Sequence, residues 1–268
     1  MLLPLSSGFP SLILSIIKLI NPKFGFELYI RSDFPISSGL GGSAVVISSV
    51  IGCFNEFRID KWSKYEIAEM AYQAERLSFK ISGGWQDQYA TVFGGINFME
   101  FKKSKNIIHS LKIDPQTILE LQANLILCDT CTKHNSSNIH DDQKKQLKST
   151  QDIKELVKKN VDLTYEIRNS LLKNELYKIG EYLDIAWGYK RMFSDKISNQ
   201  RLDKIYNTAI KYGVSGGKLL GAGGGGFFLF YCNPVKRENV CKKLVELKTK
   251  IVNFNFDKNG LKSWTVRN

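Results

Sequence analysis

The residues of this chain best suited to chemistry are two glycine-rich loops and a pair of carboxylates between them. In Pro35-Ile-Ser-Ser-Gly-Leu-Gly-Gly-Ser-Ala44, glycines and serines crowd the mouth of a helical run. Glycine lets the backbone approach an anion closely, and the free N–H groups of a first helical turn, at the positive end of the dipole, bind phosphate. The segment is therefore a candidate phosphate loop. The second loop, Gly221-Ala-Gly-Gly-Gly-Gly226, leads into the strand-like run Phe227 to Tyr231. With no helix behind it, its natural use is close backbone packing against a ligand or another loop, and a plain glycine-rich hairpin is the alternative. Glu75 falls near the end of one helical run and Asp87 just after Gly83-Gly84. Phosphoryl transfer needs a Mg²⁺ ligand and a group that accepts the hydroxyl proton, and two acids beside a phosphate loop can supply both. Either acid could equally be a surface or helix-capping group.

Two other nucleotide motifs compete for the first loop. A Walker A loop requires Gly-Lys-Ser/Thr, but Gly217-Lys218 is followed by Leu219, and Tyr212 stands where the first glycine belongs. Gly39-Leu-Gly41-Gly-Ser-Ala44 matches the glycine-x-glycine-x-x-alanine form of the dinucleotide fingerprint. Its context differs, because a loop with Pro35 precedes the glycines and a helix follows where an acid-tipped strand should stand. An NAD-dependent dehydrogenase rests on that match alone. Cys128-x-x-Cys131 with His134 and His140 has a loosely zinc-like spacing, but a single CxxC at a strand end reads as chance. His109 reads as a surface or packed histidine, and Trp62, Trp85 and Trp187 as core or cleft lining.

The elements that must position these groups follow from periodicity and punctuation. Leu12 to Ile20 fits one face of a short buried helix ended by Asn21-Pro22. A strand is expected at Phe26 to Ile30, then the first loop and a helix to about Phe57. Ser63-Lys-Tyr-Glu66 is a capping box that opens a second helix to about Phe79. A short turn over Gln86 to Thr91 precedes strands near 95–101, 107–113 and 124–129. Helix is expected from Asp141 to Ser194 and again from Asn199 to Lys211, closed by Gly213. The tail reads strand (218–220), glycine loop, strand (227–231), helix (234–248), strand (251–256). That order predicts an α+β layer of helices on an antiparallel sheet.

Composition sets the class. The chain has 268 residues, 43% hydrophobic and 24% charged, as expected of a globular protein. Leu12 to Ile20 is far short of the ~20 apolar residues of a membrane span and lacks the flanks of a signal peptide. Five cysteines, an odd number without a secretory signal, point to reduced thiols and a cytoplasmic setting. The net charge of +12 suits a protein that handles ATP, and it also suits nucleic-acid binding. The lysines of 141–178 alternate with acids at helical spacing, which favours a solvated face over a polyanion track.

Taken in order, these motifs resemble those of the GHMP kinases. Pro35 to Ala44 resembles the family's second motif, Lys218 to Gly226 its third, and Glu75 with Gly83 to Gln88 the acid pair of its galactokinase-type members. The runs Gly83-Gly-Trp-Gln-Asp-Gln-Tyr-Ala90 and Phe93-Gly-Gly-Ile-Asn-Phe-Met-Glu-Phe101 are similar to the branch that acts on heptose 7-phosphates. The similarity runs from about residue 24 to the C-terminus. It implies an α+β GHMP kinase fold, with an α/β N-terminal domain over 1–135, incomplete at its start, and a ferredoxin-like α+β C-terminal domain over 136–268. It implies transfer of the γ-phosphoryl group of ATP to the anomeric hydroxyl of a heptose 7-phosphate, for nucleotide-activated heptose and surface polysaccharide. In that scheme Ser38, Gly39, Leu40, Gly41, Gly42, Ser43 and Ala44 wrap the ATP phosphates, and Ser43 and Glu75 hold Mg²⁺. Asp87 is the base or orienting group for the sugar hydroxyl, and Gly221, Ala222, Gly223, Gly224, Gly225 and Gly226 shape the floor of the site. The partners so implied are ATP and a sugar or sugar phosphate, with no nucleic acid and no membrane, and a homodimer is a possible assembly. One departure stands out. The family's first motif, resembling Arg-Ala-Pro-x-Arg followed by Gly-Gly-x-Thr-Asp, has no counterpart before Phe26, so the chain is expected to start inside the N-terminal domain. A remnant that binds nucleotide without turnover, and a kinase of another sugar such as galactose or fucose, stay open as alternatives.

Overall fold

The computed structural model describes residues 9–33, 39–79, 84–103, 105–132 and 151–266, which belong to two compact units. The first comprises Met1–Ile36, Gly41–Ser110 and Asp257–Asn268, and the second Ser37–Leu40 and Leu111–Phe256.

In the first unit, α1 (Phe9–Ile20) buries Leu12, Ile13 and Ile16, spaced to share one helical face. They pack with Ile47 and Ile51 of α2 (Gly42–Asn55) and Ala68 and Ala71 of α3 (Lys64–Phe79) in one apolar cluster. The capping box at the start of α3 forms as expected. Glu66 Oε2 accepts from the Ser63 backbone N–H at 2.8 Å, and Ser63 Oγ accepts from the Glu66 N–H at 3.3 Å. Gln86 to Thr91, expected as a turn, is instead part of a helix, α4 (Gln86–Phe93), whose Tyr89 and Val92 join the same cluster. Tertiary burial of that face outweighs a start without a side-chain cap. The hairpin β1 (Asn97–Phe101) and β2 (Asn106–Ser110) follows. The strand expected at Phe26 to Ile30 is not formed: the run is irregular, and Phe26 packs edge-on against Phe54 at 4.9 Å between ring centroids. Aromatic and β-branched residues favour a pleated surface, but a strand also needs a ladder partner. Residues 257–268 join this unit because Gly95 N donates to Asp257 O and Leu261 N to Val92 O.

The second unit has a four-stranded antiparallel sheet in the order β4-β5-β3-β6. Its elements are α5 (Pro115–Asn124), β3 (Leu125–Asp129), α6 (Gln151–Leu172), a 3₁₀ turn (Leu176–Lys178), α7 (Ile179–Arg191), α8 (Gln200–Lys211), β4 (Val214–Leu219), β5 (Phe227–Cys232), α9 (Pro234–Glu246) and β6 (Lys250–Val252). With helices between β3 and β4 and between β5 and β6, this is the β-α-β-β-α-β pattern of a ferredoxin-like layer. Its first strand is β3, so residues 111–132 belong to this unit and the expected division at 135/136 falls inside it. α5 went unread in the sequence, although Asp114 caps it by accepting from Gln116 N at 2.8 Å ahead of Pro115. The long helical run expected from Asp141 to Ser194 is two helices broken at residues 173–175, and its first ten residues lie outside those described. β4 is longer than expected and β6 shorter. Phe228, Phe230, Ile126, Cys128 and Leu219 on one face of the sheet pack with Trp187, Leu202 and Ile205.

Candidate active site

α2 opens at Gly41, which lies in the left-handed region with φ 72°. That conformation turns the chain sharply into the helix and leaves Gly42, Ser43 and Ala44 in its first turn, where backbone N–H groups have no intrahelical partner. Ala44 is fully buried against the core, which fixes the rotation of the helix and leaves Ser43 partly accessible.

Three side chains meet beside this turn. Ser43 Oγ donates to Glu75 Oε1, and Gln88 Nε2 donates to Glu75 Oε2, so both oxygens of one carboxylate are engaged. Asp87, in the first turn of α4, lies against Gly41: a Cβ placed on Gly41 would stand 3.2 Å from Asp87 Cγ and 3.3 Å from its Cβ. Gln86 Nε2 donates to Asp87 Oδ1 at 3.3 Å. Burial pushes the Glu75 carboxyl above its ordinary value; the hydrogen bond from Ser43 opposes the shift and the charge of Asp87 adds to it. The first turn of α2, Glu75 and Asp87 are thus brought together in the first unit. Gln88, which the sequence reading passed over, holds the second oxygen of Glu75. It is buried, and its Oε1 has no hydrogen-bond partner among the described residues.

Ser38 lies outside the described residues. Gly39 and Leu40 are in the second unit, and there Gly39 meets the second glycine loop. Gly221 has φ 68°, and a Cβ on it would fall 2.7 Å from the Gly39 carbonyl oxygen, so only glycine fits this approach. The loop is a hairpin joining β4 to β5, with Ala222 buried and Gly224 N donating to Ile197 O at 2.8 Å. Gly226 O accepts from both the N–H and the hydroxyl of Thr130. Gly223 abuts Ile197, and Gly225 is buried.

The donor set can be tested against Mg²⁺. A hydroxyl and a carboxylate oxygen in mutual contact, with a second carboxylate nearby, are hard ligands of the kind that ion takes alongside phosphate oxygens and waters. A half-buried carboxylate whose charge is disfavoured by burial and by a neighbouring acid also gains from a cation. Ser43 and Glu75 fit the ion on both grounds. The other metal pattern does not develop. Cys128 is buried, with its thiol pushed up to about 11 by burial, and His134 and His140 lie outside the described residues. Among the described residues no cluster of three or more His, Cys, Asp or Glu could hold a metal ion. All five cysteines are free. His109 is exposed and contacts Glu100 at 2.8 Å. Trp187 is core, while Trp62 and Trp85 line a cavity of about 550 Å³ in the first unit with Tyr65 and Tyr89. No helix among the described residues is long and apolar enough to cross a membrane.

Comparison with known proteins gives this geometry its family. The family model for the GHMP kinases N terminal domain matches residues 11–95, and that for the GHMP kinases C terminal matches residues 167–248. The chain is 35% identical over 260 residues to D-glycero-alpha-D-manno-heptose 7-phosphate kinase of Campylobacter jejuni, covering 96% of this chain and 76% of that one. A bifunctional fucokinase/GDP-fucose pyrophosphorylase of Arabidopsis thaliana is 26% identical over 83% of this chain and 21% of its own length. The solved structure of a D-glycero-D-manno-heptose 1-phosphate kinase from Bacteroides thetaiotaomicron superposes with a TM-score of 0.70 at 25% identity, over 96% of this chain and 75% of that one. With both family models matched in order and a relative above 30% identity over most of both chains, this chain belongs to the GHMP kinase family of sugar kinases and their relatives.

Proposed function

We propose that the chain transfers the γ-phosphoryl group of ATP to the anomeric hydroxyl of a heptose 7-phosphate, in the cytoplasm and toward a nucleotide-activated heptose. The observation that carries this reading is the meeting of Ser43, Glu75 and Asp87 at the start of α2. The backbone N–H groups of Gly42, Ser43 and Ala44 receive phosphate oxygens at the positive end of the helix dipole. Ser43 Oγ and one oxygen of Glu75 would hold Mg²⁺, which when bound would neutralise charge on the phosphates. Gln88 keeps Glu75 turned toward Ser43. Asp87, exposed in its helix turn and packed on Gly41, accepts the proton of the attacking hydroxyl or orients it. Gly221 to Gly226 supply a surface without side chains on which a substrate can lie close to the backbone. The heptose assignment leans on the Campylobacter jejuni relative and on the Bacteroides thetaiotaomicron structure.

The deciding experiment measures ADP release with ATP and Mg²⁺ against D-glycero-D-manno-heptose 7-phosphate, galactose, fucose and mevalonate, with phosphorus NMR to identify the new ester. Turnover with the heptose phosphate alone and an anomeric phosphate signal are expected. Turnover with only another acceptor overturns the substrate, and ATP binding with no turnover on any of them overturns the kinase reading in favour of a nucleotide-binding remnant.

A further inference from the structure

Two lysines of the second unit, Lys190 and the Lys218 that opens the third-motif segment, lie near the second glycine loop, and neither amine has been given a role. Lys190 is in the last turn of α7, and its Nζ donates to Leu219 O at 2.8 Å and Gly221 O at 2.5 Å. It therefore grips the loop where β4 ends. Lys218 is on β4, next to Leu219, whose carbonyl Lys190 holds, and it is near enough for its charge to act on the Lys190 amine. Both are partly buried, and among the described residues neither amine has a carboxylate within ion-pair distance. Burial holds both below the ordinary lysine value, Lys190 at about 7, with the charge of Lys218 adding to its shift.

Two like charges withdrawn from water without a counter-charge disfavour the folded chain, and a bound anion relieves both costs at once. The bracing role of Lys190 does not explain Lys218, whose amine makes no hydrogen bond among the described residues. The anion must be compact and multiply charged to meet two ammonium groups together, which describes a phosphate dianion better than a carboxylate. We propose that Lys190 and Lys218 form a phosphate subsite beside Gly221 to Gly226. Which phosphate it holds rests on the kinase reading above: the ester that the acceptor already carries, or a phosphate of the nucleotide.

Equilibrium binding tests this without turnover. Titration calorimetry with inorganic phosphate, ADP, heptose 7-phosphate and unphosphorylated heptose is run on the parent protein, Lys218→Met and Lys218→Arg, with melting curves to verify folding and Lys218→Gln as a second replacement should the methionine variant not fold. Lys218→Met is expected to weaken inorganic phosphate at least ten-fold, and Lys218→Arg to restore most of the loss. A parallel ten-fold loss for heptose 7-phosphate but not ADP identifies the acceptor's ester, and the reverse identifies the nucleotide. Equal phosphate affinity in parent and Lys218→Met, or no phosphate binding by the parent, overturns the subsite. A chain that binds phosphate through these lysines yet releases no ADP keeps the subsite and loses the kinase reading. One that turns over with Lys218→Met unaffected does the opposite.

Discussion

The hydroxyl of Ser43 in the first turn of α2 donates to Glu75 near the end of α3, joining residues 32 positions apart in the chain. Two packed helices therefore present one hydroxyl and one carboxylate as a single oxygen-rich corner. If that corner holds the Mg²⁺ of the nucleotide, Ser43→Ala and Glu75→Gln each remove a hard oxygen ligand. Each variant is expected to need several-fold more Mg²⁺ for half-maximal ADP release. Mg²⁺ curves that superimpose on the parent for both variants would take the pair out of the metal site.

Glu75 also makes a prediction about stability. Its pKa is raised by burial, so the carboxyl contributes most to stability below the ordinary value of 4.5, and that contribution is lost as pH rises through the folded value. Glu75→Gln does not titrate, and Gln88 Oε1, without a partner among the described residues, can accept its new amide after a flip of the Gln88 side chain. In metal-free buffer the melting temperature of the parent, relative to Glu75→Gln, is expected to fall between pH 4 and pH 7. Added Mg²⁺ should recover it in the parent alone. A difference that stays flat with pH would mean the carboxyl is not destabilised by burial.

The part of the site that was legible in the sequence is the part written as local chemistry. Glycines before a helix, the capping box at Ser63 and Glu66, and Glu75 near a helix end are local signals that appear where expected, whereas Asp87, expected in a turn, lies in the first turn of α4. What was not legible depends on partners distant in sequence. Gln88 donates to a carboxylate 13 residues away, and its helix is stabilised by burial of Tyr89 and Val92, so the short α4 reads as a turn. Phe26 to Ile30 carries strand-like residues without a ladder partner, which no propensity reveals. β3 reads correctly as a strand, but its place between β5 and β6 is a matter of topology, which is why residues 111–132 sit with the second unit.

Asp87→Asn separates chemistry from nucleotide binding. The amide keeps the size of the side chain against Gly41 but cannot accept the hydroxyl proton. Turnover is expected to fall roughly 10²-fold or more, with ATP affinity nearly unchanged. Near-normal sugar-dependent ADP release in the variant would remove Asp87 from the reaction.

Gly216→Ala probes the packing of α7 on β4. The added methyl would fall 1.9 Å from Gly180 O, a backbone atom that cannot swing aside, so helix and strand must separate. Overpacking of this kind costs roughly 1–3 kcal/mol. A drop of several degrees in melting temperature is expected, and an unchanged melt would show that the interface yields freely.

Gly41→Ala should damage turnover out of proportion to its size. At φ 72° an alanine pays for a left-handed conformation, about 1–2 kcal/mol, and its methyl arrives 3.2 Å from Asp87 Cγ, tight enough to push that side chain by a few tenths of an ångström. The strain acts on stability, and the push acts on the carboxylate proposed to meet the sugar hydroxyl. Reacting groups are sensitive to displacement on this scale, because about 1 Å can cost 10²-fold in rate. Turnover is expected to fall roughly ten-fold, with a modest loss of melting temperature. Gly188→Ala in α7 is the matched control, since nothing lies within 4 Å of its added methyl. There alanine should raise stability by about 0.4–1 kcal/mol and leave turnover alone. If both variants lose stability equally, or if Gly41→Ala melts lower but turns over at the parent rate, the contact between Gly41 and Asp87 does not position the acid.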